Sequence, residues 1–149
     1  MIGSSDSFKT PHFSGPSVED MATTLNGIGL AAADMATSLA FYRRLGLDIP
    51  AEADHEPHAE ALLPGGIRLM WDTQAALRGF EPDWTVSTGG PSLAFLCEDA
   101  AEVDRVHDEL VRAGSHNVKS PWDAPWGQRY AILHDPDGYQ VELFAWVNR

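Results

Sequence analysis

The chain has 149 residues, of which 44% are hydrophobic and 21% are charged, a composition typical of a folded globular protein. Its 22 acidic and 10 basic residues give a formal charge of −12. That balance argues against a nucleic-acid partner or an anionic membrane surface, because both bind through clustered Lys and Arg. The wholly apolar runs are also far shorter than the about 20 residues of a membrane-spanning helix.

The N-terminal segment differs in composition from the rest of the chain. Residues 1–22 are rich in Ser, Gly and Pro and are predicted to form a disordered or loosely attached tail. The segment lacks the apolar stretch of a secretory signal peptide. The single cysteine, Cys97, lies in an apolar run, cannot form an intrachain disulfide, and is predicted to pack as a small buried side chain. These features predict a cytoplasmic protein.

The first ordered unit is predicted to begin with a strand over residues 24–32, where apolar residues alternate with glycines. Asp34 can cap a following helix, which is predicted to reach Arg44 because Gly46 favours a left-handed stop. Residues 49–57 hold two prolines and are interpreted as a loop, with room for one short strand. A hairpin over residues 58–72 then completes the unit.

The same order of elements returns in the second half of the chain. After a linker over residues 73–90 with a short helix at 74–77, a strand is predicted at 91–97. Asp99 can cap the next helix, and Gly114 can end it. Further strands are predicted at 117–120, 129–134 and 139–147, with a loop around Pro121 and Pro125 and a turn at 135–138.

Two segments carry a family resemblance. They are DMATSLAFY (34–42) with LGL (45–47), and WGQRY (126–130) with HDPDGYQVELF (134–144). In order and spacing, the chain from 24 to 148 resembles the vicinal oxygen chelate superfamily of glyoxalases, bleomycin-resistance proteins and extradiol dioxygenases. The resemblance implies an α+β fold in which one domain over residues 23–149 contains two tandem βαβββ units, about 24–73 and 91–148. It also implies curled mixed sheets that form a cleft, and a homodimer.

The resemblance further implies where a metal would be held. Metal-dependent members take ligands from the first and last strand of each unit, positions that fall on Gly27, Arg68, Ser92 and Glu142 in this chain. Glu142 alone is a conventional ligand, and the permanent cation of Arg68 would repel a divalent ion. We therefore expect no cofactor, with Arg68 neutralising Glu142 in the space of a metal. The alternative is a divalent metal such as Zn, Ni, Fe or Mn.

Tryptophans in predicted loops indicate how a ligand could be held. Trp84, Trp122 and Trp126 neighbour Pro or Gly, and flat side chains around a concave sheet can stack on planar ligands. The resemblance to antibiotic-resistance members implies a protein that sequesters a small aromatic or amphipathic compound. The alternative is a glyoxalase-like lyase, isomerase or dioxygenase that uses a metal or uses Glu142 as acid or base. The candidate ligand-binding residues are Arg68, Met70, Trp84, Ser92, Trp122, Trp126, Glu142 and Phe144.

Other residues of metal-ligand type are assigned no role in a site. The segment 55–60 is interpreted as a solvated loop, because Pro57 breaks any helical spacing of its two histidines. His107 is expected to be partly exposed on its helix. His134 is expected to form a hydrogen bond that closes the hairpin after it.

Overall fold

The structure is a computed structural model that describes residues 24–86 and 90–147, so the predicted tail lies outside the described residues. The described chain is α+β, with three α-helices and two mixed sheets of three and four strands. The sheets are uncurled, and a cleft enclosed by them stays a prediction. Within the described ranges, no helix is long and apolar enough to cross a membrane.

The first unit forms the three-stranded sheet. The central strand pairs in parallel with the first and antiparallel with the second, which gives the order β1-β3-β2. Residues 49–57 contain a 3₁₀ turn rather than a strand, because the Arg43 guanidinium binds the Ile49 and Pro50 carbonyl groups and the Asp54 carboxylate. The elements are β1 (Gly27–Ala32), α1 (Met35–Arg44), the 3₁₀ turn (Ala51–His55), β2 (His58–Leu62) and β3 (Arg68–Thr73).

The second unit forms the four-stranded sheet in the order β4-β7-β6-β5. The expected loop around Pro121 belongs to the edge strand β5, where a proline is tolerated because one side of the strand has no ladder partner. Two register shifts against β6 accompany it. The helix α2 (Gln74–Phe80) belongs to the linker between the units. The elements of the second unit are β4 (Leu93–Leu96), α3 (Ala100–Arg112), β5 (His116–Ala124), β6 (Gln128–His134) and β7 (Gln140–Trp146).

Both predicted helix caps are confirmed. The Asp34 carboxylate accepts a hydrogen bond from the Thr37 amide, and the Asp99 carboxylate accepts one from the Glu102 amide. Each helix is followed by a glycine in the left-handed region, Gly46 after α1 and Gly114 after α3.

The two units share one hydrophobic core between their sheets and helices. Tyr42 lies at the junction, with its ring centroid 5.2 Å from Trp71 of the first sheet and 6.4 Å from Phe95 of the second. Its hydroxyl donates a 2.7 Å hydrogen bond to the buried Asp135 carboxylate. Cys97 is also buried in this core, as predicted. The largest fully buried side chains are Trp71, Tyr42, Leu39, Leu69, Leu110, Leu133 and Leu143.

Candidate functional site

The open face of each sheet, opposite the helices, carries the predicted site residues of the last strand in each unit. Leu69 and Leu143 are buried at 1% and 0% exposure, so the flanking side chains of Arg68 and Glu142 point the other way. Met70 and Phe144 follow the same alternation. Arg68, Met70, Glu142 and Phe144 therefore all lie on the open faces of their sheets.

The open face of the first sheet is polar. Nη1 of Arg68 lies 2.9 Å from the Glu60 carboxylate, and its Nε donates a 3.0 Å hydrogen bond to the Asn26 side-chain oxygen. The expected Arg68–Glu142 ion pair is therefore wrong within the chain, because Glu60 lies on the neighbouring strand of the same sheet. We call this the polar face, formed by His58, Glu60, Arg68, Met70 and Asp72.

His58 links two carboxylates on the polar face. Its ring nitrogens lie 2.7 Å from Glu60 and 2.8 Å from Asp72. A carboxylate can only accept a hydrogen bond. Both ring nitrogens can therefore donate only when the imidazole is doubly protonated and positively charged. Hydrogen bonds to Glu60 and then to Asp72 raise the pKa of His58. Sequence analysis predicted a hairpin from residue 58, which β2 confirms. Its interpretation of residues 55–60 as one solvated loop is wrong for His58 and Glu60, since both lie on β2.

The first-unit positions implied for a metal do not fit one. Gly27 pairs with Arg68 across β1 and β3, and a Cβ added to Gly27 would lie 2.8 Å from Cε of Met70 and 3.4 Å from Nη2 of Arg68. The space beside Gly27, where a metal-binding side chain would lie, is thus filled by the Met70 thioether and the Arg68 guanidinium. Residues 24–86 and 90–147 hold no group of three or more His, Cys, Asp or Glu that could bind a metal ion.

The second-unit positions do not fit a metal either. Ser92 lies before β4 and is exposed, and the β4 residue paired with Glu142 is Ala94. Neither a lone hydroxyl nor a methyl group makes a set of ligands with one carboxylate. One carboxylate among the four positions is too few donors for a divalent metal site.

The open face of the second sheet is aromatic. Trp122 and Trp126 each lie edge-on to Tyr130, with ring centroids at 5.5 and 5.4 Å, and Tyr130 lies 6.4 Å from Phe144. Trp126 is 55% exposed and Trp146 is 47% exposed. Trp122 lies on β5 rather than in the expected loop, while Trp126 does lie in a turn. We call this the aromatic face, formed by Trp122, Trp126, Tyr130, Phe144 and Trp146.

Glu142 carries the negative charge beside these rings. Its two oxygens accept hydrogen bonds from the Tyr130 hydroxyl and, at 2.8 Å, from the Gln140 amide. Partial burial, reinforced by this contact with Glu142, raises the pKa of Tyr130 to about 12. Tyr130 is therefore protonated at neutral pH and acts as a donor. The Lys119 ammonium lies 4.6 Å from the Trp122 ring centroid.

Sequence analysis missed Tyr130, Trp146, Gln140 and Lys119. The period of two along β6 and β7 was the available signal, because it places Tyr130 opposite Phe144 and puts residues 140, 142, 144 and 146 on one face. Lys119 could not be found in this way, since the register shifts in β5 interrupt the alternation.

Trp84 is separate from the aromatic face. It lines a cavity of about 220 Å³ at the junction of the two units, together with Asp72, Asp137 and Tyr139. The Arg78 guanidinium lies 5.3 Å from its ring centroid. The structure therefore does not bring Trp84 into ring contact with the other two predicted tryptophans.

Two histidine predictions need correction. His107 is buried rather than partly exposed, and its Nε2 lies 2.8 Å from the Asn117 side-chain oxygen. The turn after His134 is closed by Asp135, whose carboxylate accepts from two amides within the turn. A carboxylate within the turn reaches those amides, whereas the His134 ring packs against His116.

Comparisons with known proteins agree with this architecture. A glyoxalase/bleomycin resistance protein/dioxygenase family enzyme from Burkholderia phytofirmans has a TM-score of 0.71 at 17% identity, over 84% of this chain and 100% of that chain. A hypothetical protein from S. aureus has a TM-score of 0.70 at 17% identity, over 85% of this chain and 96% of that chain. A glyoxalase-related enzyme from Fulvimarina pelagi has a TM-score of 0.69 at 21% identity, over 82% of this chain and 87% of that chain. At these identities they show the fold alone.

A search of curated proteins finds no significant match. The family described as the Glyoxalase/Bleomycin resistance protein/Dioxygenase superfamily matches residues 24–143, which is most of the chain. The two repeated units, their order and this match lead to one conclusion: the chain belongs to the glyoxalase/bleomycin resistance protein/dioxygenase superfamily.

Proposed function

We propose that the protein binds a planar aromatic or amphipathic small molecule on the aromatic face, without a metal, and sequesters it rather than converting it. The observation that carries the proposal is the continuous chain of five aromatic rings on one open sheet face, two of them about half exposed. Contiguous exposed apolar surface of this kind marks a ligand or interaction site.

The geometry suits stacking. Trp122 and Trp126 stand nearly perpendicular to each other, at 89°, and a flat ligand can pack on one ring while the other contacts its edge. Each such contact contributes about 0.5–1.5 kcal/mol beyond the area it buries. Packing by Tyr130 and Phe144 from the sheet beneath limits the movement of the rings, so little conformational entropy is lost on binding.

Glu142 gives the face one polar anchor. Tyr130 and Gln140 each use one of its acceptor positions, and a carboxylate offers about four, so a ligand N–H or O–H can still bind there. The preferred ligand is therefore a planar compound that carries a hydrogen-bond donor at its rim. On the polar face, by contrast, Arg68 and Glu60 satisfy each other.

The alternative is an enzyme of the lyase, isomerase or dioxygenase type with Glu142 as acid or base. Two of the similar structures are described as enzymes, which favours this reading. Tyr130, held protonated against Glu142, could then supply a proton, but no second base adjoins it on the aromatic face. The proposal also includes a homodimer. The open faces of one copy could then contact the open faces of a second copy.

Fluorescence titration against a panel of planar compounds tests the proposal, with product analysis on the same mixtures. We expect quenching that saturates at one ligand per site with no product. Trp126→Ala should weaken binding about two- to tenfold. Trp84→Ala is the matched control, because it removes a tryptophan outside the aromatic face, and it should bind as the wild type does.

Two results would overturn the proposal. One is turnover of the bound compound by metal-containing protein, with metal at one equivalent after purification without chelator. The other is equal loss of affinity in the Trp84→Ala and Trp126→Ala variants, which would move the ligand away from the aromatic face.

A further inference from the structure

A second cavity, of about 480 Å³, lies between α1 and the end of the β5–β6 pair. None of its lining residues belongs to the polar face or the aromatic face. Its volume falls within the range of about 300–1,000 Å³ that small-molecule sites occupy. The lining residues are Ala36, Thr37, Ala40, Phe41, Arg44, Ala113, Gly114, Ser115, His116, His134, Asp135 and Pro136.

Arg44 in this cavity stands apart from the other cations that the structure describes. Five arginines form ion pairs with carboxylates, and Arg78 and Lys119 lie over tryptophan rings. Arg44 has neither kind of partner among the described residues, and its one hydrogen bond is a 3.4 Å contact with the Ala40 carbonyl oxygen. Arg44 is exposed, so its guanidinium is open to an incoming anion.

Two imidazoles also line this cavity. His116 and His134 are directly opposite each other on β5 and β6, with ring centroids 5.1 Å apart. Within the described chain, their ring nitrogens have no hydrogen-bond partner. Each imidazole offers at least one N–H donor, whichever tautomer it adopts.

Asp135 is the one carboxylate in the lining, and its oxygens are already engaged. They accept from the Tyr42 hydroxyl at 2.7 Å and from the Asp137 and Tyr139 amides at 2.9 Å each. Arg44 and the two imidazoles therefore supply the side-chain N–H donors of the cavity, while Ala36, Ala40, Phe41, Ala113 and Pro136 give it an apolar wall.

We propose that this cavity is a binding site for a small organic carboxylate with an apolar or aromatic body, separate from the aromatic face. Arg44 and the two imidazoles bind the carboxylate, and the alanine-rich surface of α1 contacts the body. A planar carboxylate suits a guanidinium because two parallel N–H groups can bind its two oxygens.

Nuclear magnetic resonance of the full chain tests this, with three probes of the same shape: benzoate, neutral benzamide and cationic benzamidine. We expect benzoate to shift the amide signals of Gly114, Ser115 and His134 saturably, and the other two probes to shift them much less. Shifts of equal size with benzamidine, or no saturable shift with benzoate, would overturn the proposal.

Variants separate this site from the aromatic face. Arg44→Gln should weaken benzoate binding about two- to fivefold, because it removes the charge and keeps much of the length. Arg112→Gln is the matched control, since this guanidinium is also exposed near a helix end but is paired with Asp108, and it should not change the affinity. Trp126→Ala should leave these shifts unchanged, so failure of one proposal does not decide the other. Equal affinity in the wild type and Arg44→Gln would refute the site.

Discussion

His58 is the residue for which the structure makes the clearest prediction about pH. Its pKa is raised by Glu60 and Asp72, both on the polar face. Asp72→Asn should lower the His58 pKa, because it removes a negative charge and replaces a carboxylate acceptor with an amide. A histidine titration followed by nuclear magnetic resonance measures the shift. Asp48→Asn, at an exposed position on the loop after α1, is the control and should leave the titration curve in place.

The same contact predicts how stability changes with pH. A histidine whose folded pKa is raised stabilises the protein fully below its unfolded value of about 6.5, and that contribution is lost as pH rises through the folded pKa. His58→Gln should therefore destabilise the protein more at pH 5.5 than at pH 9, by less than about 1 kcal/mol because the side chain is 42% exposed. Urea unfolding at the two pH values measures this. A larger effect at pH 9 would contradict the assignment.

Tyr42 is expected to matter more for stability than the partly buried Tyr130. Tyr42→Phe removes the hydrogen bond to Asp135 and leaves a buried carboxylate with one donor fewer, which should cost about 1–3 kcal/mol in urea unfolding. Tyr130→Phe is the comparison, because water can reach its partner Glu142 on the open face. Equal losses in the two variants would mean that burial does not determine the cost.

For single residues, the sequence predicts the sheet face on which a side chain lies better than it predicts the side chain's partner. Alternation along β3 places Arg68 on the open face, as observed, because Leu69 is driven into the core. Its partner depends on cross-strand register, which places Leu62 opposite Arg68 and Glu60 opposite Met70 on the same face. The nearest carboxylate therefore comes from the hairpin partner, and a family-based position such as Glu142 could not reveal it.

The two capped helices allow a prediction at the scale of elements. Asp34 and Asp99 occupy equivalent positions in the two units, and each accepts a hydrogen bond from an amide in the first helical turn. Asp34→Ala and Asp99→Ala should each lower the free energy of unfolding measurably in thermal or urea unfolding, because each leaves an amide of the first helical turn without its acceptor. Asp48→Ala is the control, and no measurable loss is expected. A neutral result for either cap variant would contradict the matching roles of the two caps.

Elements with strong local signals could be predicted, and those decided by tertiary pairing could not. The capped helices and the 135–138 turn depend on short-range hydrogen bonds and are found in the sequence. The 3₁₀ turn at Ala51–His55 depends on Arg43 reaching from α1, and the full length of β5 depends on pairing with β6 past Pro121. Neither cause is local, so sequence patterns left residues 49–57 and the part of β5 after residue 120 as loops.

At the scale of the whole molecule, the two units are joined by side chains of one turn. Asp137 accepts hydrogen bonds from the Ala33 amide and the Ser38 hydroxyl, and the Tyr139 hydroxyl accepts one from the Ala31 amide. These contacts tie the last hairpin to the first strand and helix. Together with the shared core, they predict that both units unfold in a single cooperative transition.

Cys97 provides a probe of that cooperativity. The residue is 7% exposed, and burial raises the pKa of its thiol to about 11. Labelling by a thiol reagent should therefore require opening of the second unit. Tyr42 belongs to the first unit. If the two units share one cooperative core, the loss of about 1–3 kcal/mol in Tyr42→Phe should speed Cys97 labelling about five- to 150-fold. Labelling followed by mass spectrometry gives the rate, and Tyr130→Phe is the control. An unchanged rate in a clearly destabilised Tyr42→Phe variant would mean that the second unit opens on its own.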